Sequence, residues 1–228
     1  MTGLLKGGFE RLSSGLLTVS AVVIALTFAH REFGGRPAQQ APVMGPPTYV
    51  EDWQSLLRIG HAIGDSLAPI KVVEFGDFEC PFCRSADTLV RSVMRSRSSS
   101  VSLIFVDYPL RMHRFALPAA RAAECAASQG RFSDFHDRLF ERQDSLGLKT
   151  WVSFAEDAGV RDTAAFARCV TATSAVPFVQ AGLAAGDRLG IRGTPTFLIN
   201  GWRLASPPSS GQQLDSLITA LASKPGKR

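Results

Sequence analysis

Cys80-Pro81-Phe82-Cys83 follows directly on the apolar run Ile70-Lys71-Val72-Val73-Glu74-Phe75, and this order constrains the chain more than any other feature. A C-x-x-C at the exit of a strand places its first thiol where a helix begins. The unpaired N–H groups and the positive dipole end found there favour a thiolate, which is the attacking species in disulfide exchange. Pro81 falls in the first helical turn, where its missing N–H is no loss. Cys83 lies one turn on, close enough to bond to Cys80. The competing reading is half of a zinc site, which needs a second ligand pair. No second C-x-x-C exists, Cys125 and Cys169 are solitary, and the four histidines are scattered. The motif is therefore read as redox before metal.

The flanking pattern predicts an α/β fold. Ile70–Phe75 and Val101–Val106 are near-continuous apolar runs, as expected of strands buried on both faces, and a helix over Ser85–Arg95 joins them. Strand, helix, strand implies a parallel pair with a right-handed crossover. Val50–Gly60 has apolar residues at helical spacing and reads as a short leading helix. From about 113 to 189 the pattern is helical throughout, including the alanine-rich stretch Ala119–Ser128. Pro195–Ile199, Asn200-Gly201 and Trp202–Leu204 then read as a β-hairpin, since Asn-Gly is a strong two-residue turn signal. Gln212–Ser223 closes the chain as a helix. The order is βαβ, a helical insertion, then ββα.

The chain has 228 residues, 45% hydrophobic and 20% charged, which is globular rather than disordered. Its net charge of +5 is spread thinly, and no basic platform interleaved with aromatics is present, so no nucleic-acid partner is expected. The N-terminus carries Lys6 and Arg11, followed by an uncharged run from Leu12 to Ala29. Its length is near the lower limit for a bilayer-spanning helix, and Lys6 and Arg11 would hold the N-terminus in the cytoplasm. A retained anchor is expected, with cleavage near Ala29 as the alternative. The expected organisation is an export or anchor segment over 1–33, a Pro/Gly-rich linker over 34–48 and a folded domain over 49–228.

Gly193-Thr194-Pro195-Thr196-Phe197 stands just before the hairpin. Read alone, Pro195 is an ordinary trans turn proline. Paired with the C-x-x-C, it reads instead as a cis proline that leaves Thr194 backbone groups free to bind an extended peptide by strand addition. Together, the string Glu74–Cys83 and the string Gly193–Phe197 resemble the DsbA-like branch of the thioredoxin superfamily, over roughly Trp53 to Leu221. Tyr108-Pro109-Leu110 with His113, and Ala122–Gly130, also look typical of exported members. The resemblance implies a thioredoxin fold with a helical insertion, Cys80 as attacking thiol, Cys83 as resolving thiol and Pro195, beside Thr194, as the cis proline.

Glu74 occupies a position where the family often carries a buried acid that relays protons to the inner thiol. A carboxyl without a charge partner in an apolar strand has a raised pKa and could accept the Cys83 proton near neutral pH. The competing reading pairs Glu74 with Lys71 or another surface lysine. Phe82 departs from the histidine that strong oxidants carry beside the second cysteine, so a less oxidising potential is expected. Related exported proteins often bond cysteines placed like Cys125 and Cys169, and two buried free thiols are the alternative. His30, His61, His113 and His136 are expected as caps and surface residues rather than ligands.

The resulting expectation is an extracytoplasmic protein thiol-disulfide oxidoreductase of a bacterial cell envelope, working through a mixed disulfide at Cys80. It would need no cofactor and no metal. Its partners would be cysteine-containing substrate proteins and a membrane redox protein that recycles the site. A reductase fed by a membrane electron shuttle and a non-catalytic, thioredoxin-like metal-delivery module are the alternatives. The direction of exchange (oxidase, reductase or isomerase) stays open.

Overall fold

The computed structural model describes residues 45–226. The expected anchor and nearly all of the expected linker lie outside the described residues. Among the described residues, no helix is long and apolar enough to cross a membrane. The strands are β1 (Thr48–Tyr49), β2 (His61–Ile63), β3 (Ile70–Gly76), β4 (Val101–Asp107), β5 (Thr196–Ile199) and β6 (Trp202–Arg203). The helices are α1 (Pro81–Ser96), α2 (Ala116–Ala127), α3 (Phe132–Glu141), α4 (Trp151–Asp157), α5 (Thr163–Thr171), α6 (Pro177–Arg188) and α7 (Gly211–Leu221).

The strands form one mixed sheet in the order β1-β6-β5-β3-β4-β2. β3 and β4 run parallel, with Val72 opposite Leu103 and Glu74 opposite Phe105. β5 is antiparallel to β3 and places Phe197 opposite Glu74. The apolar runs of β3 and β4 supply both faces because alternate side chains point to opposite sides. Val72, Leu103, Phe197 and Ile199 pack with Val90 and Val93 of α1 and Leu214 and Ile218 of α7. Val73, Phe75, Ile104, Val106 and Leu198 pack on the other face with Leu56, Ala185 and Ile191. Helices α2–α5 build a further core around Phe135, Leu139, Phe154 and Phe166, which reaches the sheet through Phe105 and the active-site turn through Phe78.

The hairpin turns as its residues demand. Asn200 and Gly201 have φ of 44° and 88°, both in the left-handed region that Asn and Gly tolerate. Asn200 also accepts from the Lys71 N–H at 2.8 Å and donates to the Ala222 carbonyl at 3.2 Å, tying the turn to β3 and to the end of α7. Two parts of the sheet depart from expectation. Val50–Gly60 is not an α-helix but a single 3-10 segment over Trp53–Arg58. It is bracketed by β1 and β2, two short edge strands for which the sequence carries no periodic signal.

Candidate active site

The helix α1 is amphipathic, with Cys83, Ala86, Asp87, Val90 and Val93 buried at three- and four-residue spacing. That packing fixes where its N-terminus points. Cys80 is the N-cap, extended at φ −72° and ψ 120°, and Pro81 opens the first turn. Its carbonyl accepts from the N–H of Cys83 and of Arg84, at 3.1 and 3.2 Å. Both thiols are unbonded and buried.

The 114 residues that separate Cys80 from Thr194 in sequence are closed in space: the Cys80 thiol donates to the Thr194 carbonyl at 3.3 Å. The Thr194–Pro195 peptide bond is cis, and β5 begins at the next residue. A groove of about 540 Å³ opens beside the pair, lined by Phe82, Ala86 and Leu89 of α1, by Thr194 and Pro195, and by Pro207 and Pro208 from across the opening. Phe82 stands at its edge with 72% of its surface exposed. An exposed aromatic beside an apolar groove suits the packing of a partner chain.

The two sulfurs are driven apart electrostatically. A hydrogen bond from the Cys83 thiol leads in lowering the Cys80 pKa to about 5, against the opposing effect of burial. Thr194 and the backbone N–H groups of Cys83 and Phe82 lower it further. The Thr194 hydroxyl is buried and has no hydrogen-bond partner. Burial pushes the Cys83 thiol well above the ordinary range, helped by its hydrogen bond to Cys80 and by the charges of Glu74 and Cys80. At neutral pH the arrangement holds one thiolate and one thiol.

Glu74 lies beneath them. Its carboxyl is fully buried and held well above the usual carboxylate value, first by desolvation, then by the charges of Asp87 and Cys80. Its Oε1 has no hydrogen-bond partner. The alternative pairing with Lys71 is overturned: the Lys71 ammonium donates to the Ser66 carbonyl at 2.6 Å and the Ser102 hydroxyl at 3.1 Å.

Further groups support the turn without having been singled out by sequence. The Gln143 amide donates to the carbonyls of Phe78 and Cys80, at 2.8 and 2.9 Å, clamping the turn from the segment after α3. His136 is not a surface residue but 1% exposed, ringed by Phe78, Phe105 and Phe140. With Asp87 and Asp137 it forms a grouping of metal-ligating type. The Arg91 guanidinium already bonds both carboxylates at 2.8 Å, so a fixed cation occupies the charge of that cluster. His61 is wedged between Phe132 and Phe178 and bonded to Glu124 at 2.7 Å. Cys125 and Cys169 are joined as a disulfide that ties α2 to α5, with Cα atoms 5.8 Å apart.

The fold and the site are those of a thioredoxin-like protein with a C-x-x-C facing a cis proline. A thioredoxin family model matches residues 58–220, and the chain belongs to that family. Its fold is the DsbA-like one. A thioredoxin-like oxidoreductase from Silicibacter pomeroyi DSS-3 superposes with a TM-score of 0.63 at 24% identity, over 75% of this chain and 98% of that one. Oxidised BdbD from Bacillus subtilis does so with a TM-score of 0.64 at 20% identity, over 80% and 98%. The curated relatives are of another kind. The Na(+)/H(+) antiporter NhaA 3 of Salinispora tropica is 34% identical over 164 residues, 72% of this chain but 25% of the antiporter. The chain spans about a quarter of that relative's length.

Proposed function

We propose that this chain is an extracytoplasmic protein thiol-disulfide oxidoreductase that exchanges disulfides with other proteins through a mixed disulfide at Cys80. The observation that carries the proposal is the Cys80 sulfur at the N-terminus of α1, within 3.3 Å of the Thr194 carbonyl and with its pKa lowered to about 5. In the reducing direction the Cys80 thiolate attacks one sulfur of a substrate disulfide, and the other substrate sulfur leaves as a thiolate. Cys83 gives its proton to Glu74 and attacks Cys80, expelling the second substrate thiolate and leaving a Cys80–Cys83 disulfide. The oxidising direction runs these steps in reverse, so two electrons pass between substrate and the cysteine pair either way. No cofactor enters. Thr194 and Pro195 line the groove in which the substrate segment would lie. A membrane redox partner is proposed to reset the pair.

The compartment is inferred from two features. Residues 12–29 form an uncharged run suited to a membrane anchor, and the Cys125–Cys169 bond suits an oxidising environment. The antiporter's printed activity is not carried over, because the match covers 25% of that relative. The test uses the full chain in detergent. Cys83→Ser should accumulate a mixed disulfide at Cys80 when given a disulfide-bonded peptide, the peptide's other sulfur leaving as a thiol, while Cys80→Ser forms none and reduces no insulin. A Cys80→Ser variant that exchanges disulfides at the wild-type rate would overturn the proposal.

A further inference from the structure

Two carbonyls of the active-site turn, those of Phe78 and Cys80, meet at one side-chain amide. Phe140 in α3 and Leu146 beyond it are buried in the core that also holds Phe78, Cys80 and Cys83. The 3-10 turn Gln143–Ser145 between them is thereby held against the C-x-x-C. From it the Gln143 Nε2 donates to the Phe78 carbonyl at 2.8 Å and to the Cys80 carbonyl at 2.9 Å. A primary amide has two N–H hydrogens, and both are used. The opposite orientation would set the amide oxygen against two carbonyl oxygens, so the hydrogen-bond network fixes which end faces the turn.

The Phe78 carbonyl receives no backbone donor among the described residues, and Phe78 is buried. The Cys80 carbonyl also accepts from the N–H of Cys83 and of Arg84. Its direction is the ψ angle of Cys80, 120°. The same rotation decides where α1 starts relative to the Cys80 side chain. It therefore places the Phe82 and Cys83 N–H groups that favour the sulfur anion. On its other side the turn is tied to the loop after β4. The Asp77 carboxylate accepts from the Leu110 N–H at 2.9 Å and lies 2.7 Å from His113 Nδ1, and the Phe115 N–H donates to the Glu79 carboxylate. Those ties end at Glu79. Among the described residues, Gln143 is the side chain that bonds the Cys80 backbone itself.

We propose that Gln143 is a positioning residue for disulfide exchange: its amide pins the carbonyls on either side of Glu79 and so keeps the Cys80 sulfur facing the N–H groups of the first turn of α1. The helical insertion thereby acts on the attacking sulfur through one side chain that takes no part in sulfur or proton transfer. This rests on the exchange function proposed above.

The experiment uses the reduced full chain in detergent and the variant Gln143→Met, which keeps the side-chain length but has no N–H. The pH dependence of Cys80 alkylation by iodoacetamide is measured for both. Gln143→Met should weaken the acidity of Cys80 about tenfold, as expected when one hydrogen bond to an ionised group is lost. The rate at pH 8 should not fall, because both thiols are then ionised and the weaker acid is the better nucleophile. Asp144→Ala removes the neighbouring ion pair to Arg84 and leaves the amide in place, so it should keep the wild-type profile. An unchanged inflection in folded Gln143→Met would overturn the inference. So would an equal move in Asp144→Ala, which would trace the effect to a loosened turn. If Gln143→Met does not fold, NMR of the wild type decides. The Gln143 side-chain N–H hydrogens should exchange with solvent about tenfold more slowly than those of the exposed Gln54, and equal rates would overturn the inference. A wild-type Cys80 that titrates as an ordinary thiol and exchanges nothing would refute the function itself, and this inference with it.

Discussion

Glu74 faces phenylalanine on both neighbouring strands, Phe105 on β4 and Phe197 on β5. No cation can reach it by cross-strand pairing, and its raised pKa follows from that register. A carboxyl with a raised pKa can take the proton of Cys83 as that thiol attacks and return it when the disulfide reopens. Glu74→Gln is expected to slow release of the mixed disulfide by about a hundredfold, the low range for a general base, which single-turnover quenched-flow kinetics would measure. The same substitution has a stability signature of definite sign. Because the folded pKa lies above the unfolded value, the native state is unpenalised at low pH. It loses stability as pH rises from the unfolded pKa toward the folded one. Glu74→Gln should therefore flatten that decline and be more stable than the wild type at neutral pH, as denaturant melts across pH would reveal.

Elements are held at the site by close backbone approaches as well as by side chains. Gly182 on α6 lies against the end of β4, where an added Cβ would stand 2.2 Å from the Asp107 carbonyl oxygen and 3.1 Å from Val106. The obstacle is backbone, which cannot swing aside, so Gly182→Ala forces α6 off the sheet. The expected cost is about 2 kcal/mol, a fall in Tm of roughly 4–8 °C for a domain of this size, to be read by calorimetry. The elements also differ in how legible they are from sequence. β3, β4 and the Asn200-Gly201 hairpin announce themselves through long apolar runs and a turn dipeptide. β1 and β2 are two and three residues long, too short for any periodicity, and exist only because a neighbouring strand offers an edge. The same division holds in the site. Cys80, Cys83 and the Thr194-Pro195 pair are carried by motif. Gln143 and His136 reach the turn through the packing of α3, which no local pattern encodes. His113 was visible as a residue, but its bond to Asp77 depends on how two loops meet.

At the scale of the molecule, the helices between β4 and β5 share a core with the active-site turn, through Phe78, Cys80 and Cys83. The Cys125–Cys169 bond closes a 44-residue separation across that core. In the chain-entropy account a loop of this size is worth about 4 kcal/mol. The double substitution Cys125→Ala with Cys169→Ala should lower the denaturant midpoint accordingly, and reducing agent should then leave the variant's midpoint unchanged. A midpoint equal to the wild type's would mean that the bond does not form in the folded protein.

The account stands on the division of labour between two neighbouring sulfurs. The most direct measurement is the pH dependence of alkylation of the reduced wild-type protein by iodoacetamide, with the modified cysteine identified by mass spectrometry. Cys80 should react first, with an inflection near pH 5, and Cys83 should remain unmodified throughout the neutral range. An inflection at the ordinary thiol value of about 8.5, or modification of Cys83 ahead of Cys80, would contradict it.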